Sequence, residues 1–246
     1  MRIRDLNLVR SRAAMARWPE GKFLIDTVNA HSFVLARKDE AFARALESAD
    51  ALLPDGIAIV RACRWLKMKN APAEKIAGAD LFAFEMDRLE QRGGTCFFMG
   101  SSPEVLERIR RNAAVRYPHI RVETWSPPYK PAFTPEEDQA ILDAIHAARP
   151  DLLWIGMTAP KQEKWLHDHW QELHIDCHAG AIGAVFDFFA GTVSRAPRWW
   201  LRHNLEWLYR FLREPGRMWR RILVSGPVFF WYVLQELLDA PSGGQE

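Results

Sequence analysis

The sequence predicts an α/β protein: a Rossmann-like, mostly parallel sheet with helices on both faces, followed by a C-terminal helical appendage rich in Arg and Trp. Three observations predict it. Short apolar runs alternate with helical stretches over most of the chain, and the residues just after those runs are polar, as at the carboxyl ends of parallel strands. Charge is also segregated: residues 195–223 carry eight Arg against two Glu, a local +6 in a chain of 246 residues whose total is +2. The remainder is therefore a mildly acidic body at −4.

The strand candidates, in order, are FLIDTV at 23–28, ADALL at 49–53, TCFFMG at 95–100, IRVETW at 120–125, DLLWIG at 151–156 and IDCHAG at 175–180. Each has the length of a strand and falls short of a helix. Two of the intervening helices are marked at their starts. The stretch 102–117 opens on Ser102-Pro103-Glu104 and repeats Val105, Leu106, Ile109 and Ala113 at helical spacing. The stretch 134–148 has Thr134 as N-cap, Pro135 at the first helical position and Glu137 three residues after the cap. Strand, helix, strand in succession favours parallel pairing through crossovers. SPPYKPAF from Ser126 reads as a loop, and the final PSGGQE as a frayed tail.

Composition narrows the class of protein. Apolar residues make up 48% and charged residues 26%, which suits a folded globular chain and not a disordered one. A total charge of +2 gives no general attraction to nucleic acid, so no nucleic-acid partner is expected. Cys63, Cys96 and Cys177 are dispersed, odd in number and lack C-x-x-C pairing, which argues against disulfides and zinc and for a reducing compartment. The N-terminal residues alternate Arg with apolar side chains and form no apolar signal core, so a cytoplasmic location is expected. The apolar stretch 222–234 is broken by Ser225, Gly226 and Pro227, and is shorter than the roughly 20 residues that span a bilayer. It reads as packed or monotopic. Trp199, Trp200, Trp207, Trp219 and Trp231 lie among the tail arginines, a mixture suited to an anionic membrane surface. The expected division is 1–194 as catalytic domain and 195–246 as appendage.

The polar residues at strand ends are the candidate site. Asp55, in LLPDGIAIV, is a turn aspartate by local chemistry and equally a carboxylate aimed into a crevice, where it can accept a proton from a hydroxyl. Thr27 and Asn29 close the first strand, and Asn29 or Ser32 also suits the cap of the next helix. Lys75 offers charge to a phosphate, while Asp80 offers either a helix cap or a substrate contact. Gly100-Ser101-Ser102-Pro103 can turn backbone N–H groups toward a phosphate. In Thr158-Ala159-Pro160-Lys161-Gln162-Glu163, Gln162 can reach back into the crevice, and Glu163 reads as a first-turn acid. His167 and His169 are two apart and do not share a helix face, so no metal site is expected. The chain has no Asp-x-Asp pair for a divalent ion and no G-x-G-x-x-G fingerprint for a dinucleotide, so no cofactor is expected.

T-x-N-x-H at Thr27 to His31, PDGIAIV around Asp55, KIAGADLF from Lys75, APKQE from Ala159, and above all the block GAIGAVFDFFAGTVSRAPRWW with LEWLYRFLREPGRMWRR resemble the WecG/TagA/CpsF glycosyltransferases. The resemblance runs from Thr27 to Arg221. It implies a Rossmann-like inverting transferase of the GT-E type. Such an enzyme moves a sugar (N-acetylmannosamine, its uronic acid, or a glucose-type sugar) from a UDP-sugar donor to a polyprenyl-diphosphate-linked acceptor, without metal, on the inner face of the cytoplasmic membrane. By the same resemblance Asp55 takes the place of the catalytic base, and Thr27, Asn29 and Gln162 the places of active-site polar residues. Arg210, Arg217 and Arg220 match appendage residues that contact the donor diphosphate. Lys75 departs from the family's usual arginine; it keeps the charge and loses the bidentate fork. A basic tail leaving the body can close its own active site or a neighbour's in a homo-oligomer. Two other classes compete: a non-catalytic membrane-peripheral partner in a polysaccharide assembly complex, and a nicotinamide-dependent oxidoreductase, which the missing glycine fingerprint disfavours.

Overall fold

The computed structural model describes residues 1–239, and the tail 241–246 lies outside them. Six strands form one parallel sheet: β1 (Phe23–Val28), β2 (Ala51–Pro54), β3 (Gly94–Gly100), β4 (Ile120–Trp125), β5 (Leu152–Gly156) and β6 (His178–Ala181). Their order is β2-β1-β6-β5-β3-β4. The chain winds outward from β1 to β2 on one side, crosses to β3 and β4 at the far side, and returns through β5 and β6 to fill the centre.

Helices occupy the crossovers. After the short α1 (Arg12–Met15) they are α2 (Ala30–Ala36), α3 (Glu40–Glu47), α4 (Ile57–Trp65), α5 (Gly78–Arg92), α6 (Pro103–Arg116), α7 (Pro135–Ala148), α8 (Lys161–His169) and α9 (Val185–Ala190). Strand side chains alternate between faces. Ile25, Leu53, Phe98 and Trp154 join Phe82 of α5, Ile109 of α6 and Phe186 of α9 in one cluster. Their neighbours Leu24, Phe97 and Leu153 pack beneath Ile145 of α7 and Leu166 of α8. Val28 and Leu52 pack on that same second face with Phe33 of α2, Phe42 of α3 and Ile59 of α4. Apart from the edge strand β4, the apolar runs of the sequence are thus strands largely buried on both faces, as in all-parallel sheets.

The two marked helices start where their caps place them. Ser102 accepts from the Val105 N–H, and Thr134 with Glu137 forms a reciprocal capping box ahead of Pro135. Two strands begin two or more residues later than expected, at 51 and 178 rather than 49 and 175. Asp50 meets β1 through its side chain, accepting the Leu24 N–H at 2.8 Å, so its backbone stays outside the ladder. His178 pairs with Phe23 and Leu152, the first residues of β1 and β5, and so 175–177 have no strand beside them to extend.

Beyond Arg195 the chain forms α10 (Arg198–Arg202), α11 (Glu206–Arg213), α12 (Pro215–Trp219), a π-helical turn at Arg220–Val224, and α13 (Ser225–Leu238). Here α13 is packed against the body. Phe229 stacks edge-on to Phe33 with ring centroids 5.5 Å apart, and Phe229 and Val233 are buried in the cluster under α2 to α4. Glu236 accepts the Ile3 N–H at 2.7 Å and the Arg4 N–H at 3.2 Å, tying the last helix to the first residues. Its outer face leaves Phe230 and Trp231 exposed. No helix among the described residues is long and apolar enough to cross a membrane.

Candidate active site

At the carboxyl end of the sheet lies a cavity of about 1300 Å³, walled by strand-end residues on one side and by the tail from 204 to 230 on the other. Gly156 lines it and pairs in the sheet with Gly100 of β3. A Cβ on Gly100 would strike the Gly156 carbonyl and one on Gly156 the Phe186 ring, so β3, β5 and α9 approach this closely only because both residues are glycine.

Asp55 follows β2 directly. Its N–H donates to the Val28 carbonyl at 2.9 Å, and Gly56 at φ +108° turns the chain into α4, which leaves the carboxyl on the cavity wall. Burial pushes its pKa up to about 6, and the negative charges of Glu206 and Asp80 push the same way against Lys75 and Arg210. A carboxylate so placed is ionised at neutral pH and more basic than an ordinary aspartate, which suits a general base.

Thr27 and Asn29 also line the cavity. Asn29 caps α2: its Oδ1 accepts the His31 and Ser32 N–H groups at 3.0 Å each, while Ser32 Oγ accepts the Asn29 N–H at 2.8 Å. The capping reading and the site reading are compatible, because capping uses the Asn29 oxygen and leaves its NH2 group for a ligand. Gln162 is buried at the start of α8; its Oε1 accepts the Met157 N–H at 3.1 Å and its Nε2 donates to Glu163 Oε1 at 2.9 Å.

Lys75 lines the cavity with its Nζ 3.7 Å from Glu206 of α11. Asp80 is not on the cavity wall. It holds the start of α5 by accepting the Ala77 N–H at 3.0 Å, and it pairs with Arg12 at 2.9 Å and Arg195 at 3.8 Å. Arg195 in turn reaches Glu206 at 3.8 Å. The chain Arg12, Asp80, Arg195, Glu206, Lys75 therefore joins the body to the tail beside Asp55.

Arg210 and Arg217 line the cavity from the tail. Arg217 is held by Glu214 at 3.3 Å. Arg210 is unusual: its Nε and Nη2 are buried without a hydrogen-bond partner, and its guanidinium sits 5.5 Å from the Phe188 ring. A dry cation with unmade hydrogen bonds is costly until an anion reaches it. Arg220 is exposed, with its guanidinium 5.2 Å from the Trp219 ring, and does not line the cavity. Its neighbour Arg221 does line it, and burial followed by the charges of Arg210 and Arg217 lowers the Arg221 pKa. Sequence reasoning missed Arg221. The signal was the adjacent Arg pair: neighbours on a helix lie about 100° apart, so only one of the two can face a given wall.

The crevice at the strand ends thus carries one elevated carboxylate and a set of converging cations, an arrangement that suits an anionic ligand. Residues 1–243 match the Glycosyl transferase WecG/TagA/CpsF family, and the chain belongs to it. It is 33% identical over 221 residues to an N-acetylglucosaminyldiphosphoundecaprenol N-acetyl-beta-D-mannosaminyltransferase of Bacillus spizizenii (strain W23), covering 88% of this chain and 80% of that one. It is 32% identical over 213 residues to the protein of the same name from Bacillus subtilis (strain 168), covering 87% and 79%.

Proposed function

We propose that the protein is an inverting glycosyltransferase that moves an N-acetylmannosamine-type sugar from its UDP donor to a sugar carried on a polyprenyl diphosphate. The observation that carries the reading is the Arg210 guanidinium, whose Nε and Nη2 are buried without a hydrogen-bond partner in the cavity that Asp55, Arg217 and Arg221 also line. The donor diphosphate supplies the missing acceptors. Asp55 takes the proton from the acceptor hydroxyl, the oxygen attacks the anomeric carbon from the face opposite the leaving group, and the bond to UDP breaks with its electron pair leaving on the phosphate. Arg210, Arg217 and Lys75 stabilise that charge, a role that a metal ion fills in other transferases. Thr27, Asn29 and the amide of Gln162 hold sugar and phosphate oxygens, and Arg220 meets lipid phosphate at the surface.

Trp199, Trp207, Trp219, Leu223, Phe230 and Trp231 are exposed among the tail arginines. Amphipathic rings next to cations suit the headgroup region of an anionic membrane, which carries the lipid-linked acceptor. The protein thus works as a peripheral enzyme on the inner face of the cell membrane in cell-surface polysaccharide synthesis. The names of the Bacillus relatives favour UDP-N-acetylmannosamine as donor and an N-acetylglucosaminyl polyprenyl diphosphate as acceptor. The test is UDP release from a panel of UDP-sugars with a short polyprenyl-diphosphate saccharide in the presence of chelator. Acceptor-dependent release is expected; release that chelator abolishes refutes the metal-free mechanism, and silence across the panel from folded, vesicle-bound protein refutes the transfer reading.

A further inference from the structure

The cavity runs on from Asp55 along α4. Ala58, Arg61 and Trp65 stand three and four residues apart on one face of that helix, and all three line the cavity. Ile222, Gly226 and Phe230, at four-residue steps from the π-helical turn into α13, line it as well. The two helices pack side by side: Ile59 and Cys63 of α4 share one cluster with Phe229 and Val233 of α13. Trp65 and Phe230 meet edge to face with ring centroids 6.1 Å apart. Both line the cavity and both are half-exposed, so a groove leads between the helices from the cavity to the surface. Its middle is open, since a Cβ on Gly226 would meet nothing within 4 Å.

Along α4 the side chains run in a chemical order: a carboxylate, a cation, an aromatic ring. Asp55 stands two residues before Ile57, the first helical residue. Arg61 is about 6 Å further along the axis than Ile57, and Trp65 is about 6 Å beyond Arg61. A saccharide on a polyprenyl diphosphate has the complementary order of hydroxyl, diphosphate and isoprenoid. One sugar ring fits between a hydroxyl at Asp55 and a phosphate at Arg61. No acid lies on either groove-lining stripe. Arg61 is exposed and has no ion-pair or hydrogen-bond partner among the described residues, whereas Arg64 on the neighbouring face donates to the Ala73 carbonyl at 2.6 Å.

We propose that this groove is the acceptor subsite: Arg61 binds the diphosphate of the lipid-linked acceptor, and the isoprenoid chain leaves between Trp65 and Phe230. The donor diphosphate has its own cations, Arg210 and Arg217 of the tail, so two diphosphates meet two separate sets of arginines, one on the body and one on the appendage. The apolar rings at the opening suit a hydrocarbon chain that passes on into a membrane. That the bound diphosphate belongs to an acceptor rests on the transfer reading; the isoprenoid-diphosphate groove itself does not.

The test is calorimetric titration of the full-length protein with farnesyl diphosphate, a short isoprenoid diphosphate, in the presence of saturating UDP to occupy the donor cations. Arg61→Gln keeps an exposed polar side chain and removes the charge. It is expected to bind farnesyl diphosphate about tenfold more weakly, the scale of one charge-assisted hydrogen bond, with UDP affinity and sedimentation with anionic vesicles as in wild type. In turnover the same variant raises the KM for acceptor and leaves that for donor. Gly226→Leu fills the open middle of the groove, and Gly226→Ala, under the same backbone constraint before Pro227, is its control. Farnesyl diphosphate binds Gly226→Leu more weakly than Gly226→Ala, while UDP binds the two alike. Equal farnesyl diphosphate affinity in Arg61→Gln and wild type overturns the proposal; if vesicle sedimentation falls instead, Arg61 is a contact for bulk lipid headgroups. Binding that UDP abolishes overturns it too, because the ligand is then at the donor cations. Failure of the transfer reading shows separately, as a wild type that binds farnesyl diphosphate through Arg61 and releases no UDP with any donor and acceptor.

Discussion

Replacing Arg210 by Met separates ligand binding from stability by giving them opposite signs. In the ligand-free protein the Nε and Nη2 groups of Arg210 are buried and unpartnered. Each unmade hydrogen bond costs on the order of 1–3 kcal/mol. The residue is only half-buried as a whole, so the lower part of that range applies, about 2 kcal/mol for the two together. Met keeps most of the apolar stem against Phe188 while deleting the dry cation. For a chain of this size about 2 kcal/mol corresponds to a rise of roughly 4–8 °C in Tm. Binding moves the other way. Two charge-assisted hydrogen bonds to a diphosphate, at about 1.5 kcal/mol or more each, make UDP bind roughly a hundredfold more weakly once they are lost. Thermal melts without ligand and calorimetric titration with UDP read the two effects on one preparation. An Arg210→Met protein that melts lower than wild type and binds UDP as well refutes the assignment of this guanidinium to the donor diphosphate.

Other outcomes follow from the same geometry. The Asp55 carboxyl must be ionised to accept a proton, and its pKa is about 6, so kcat/KM falls about tenfold per pH unit below that value. Because the Glu206 charge raises that pKa, Glu206→Gln moves the acid limb of the pH–rate profile to lower pH; an unmoved limb refutes the coupling. Glu236→Ala leaves the Ile3 and Arg4 N–H groups without their acceptor and costs about 1–3 kcal/mol, or roughly 2–12 °C in Tm, measured by melting. Truncation after Arg195 removes both activity and sedimentation with anionic vesicles, and it also exposes the body surface that Phe229 and Val233 cover, so the truncated protein melts lower. A truncated form with full activity removes the tail from the mechanism. Stability declines as pH rises from about 4 to about 7, because the buried Asp26 and Glu163 hold protons in the folded state that their unfolded counterparts have released. In Asp26→Asn that decline is shallower.

Much of the fold was legible because its strands are short, mostly apolar and bounded by polar or glycine residues. FLIDTV and IRVETW are found at their expected limits, and the caps at Ser102 and Thr134 sit where side-chain chemistry put them. Strand order was not legible, since β6 enters between β1 and β5 through contacts far apart in sequence. Nor was the seating of α13, whose Ser225-Gly226-Pro227 start reads as an interruption until Ser225 is seen bonded to His31. Within the candidate site, Asp55, Thr27, Asn29, Lys75, Gln162, Arg210 and Arg217 come together on one cavity wall or the other, whereas Asp80 and Arg220 do not. Asp80 serves a helix start and an ion-pair chain. At Arg220–Val224 the π-helical turn alters the helical phase, and Arg221 faces the cavity while Arg220 lies outside it. Asp26 was hidden for a different reason: inside an apolar strand run a single acid carries no pattern, and only the fold shows that it is fully buried.

The central claim is that Asp55 is the base of an acceptor-dependent sugar transfer. It is tested most directly by measuring turnover and UDP-sugar affinity of Asp55→Asn beside wild type, with polyprenyl-diphosphate acceptor present. Turnover of Asp55→Asn is expected to be lower by about 10²–10⁴-fold, the usual contribution of a general base, with donor affinity nearly unchanged. Near wild-type turnover in Asp55→Asn would contradict it.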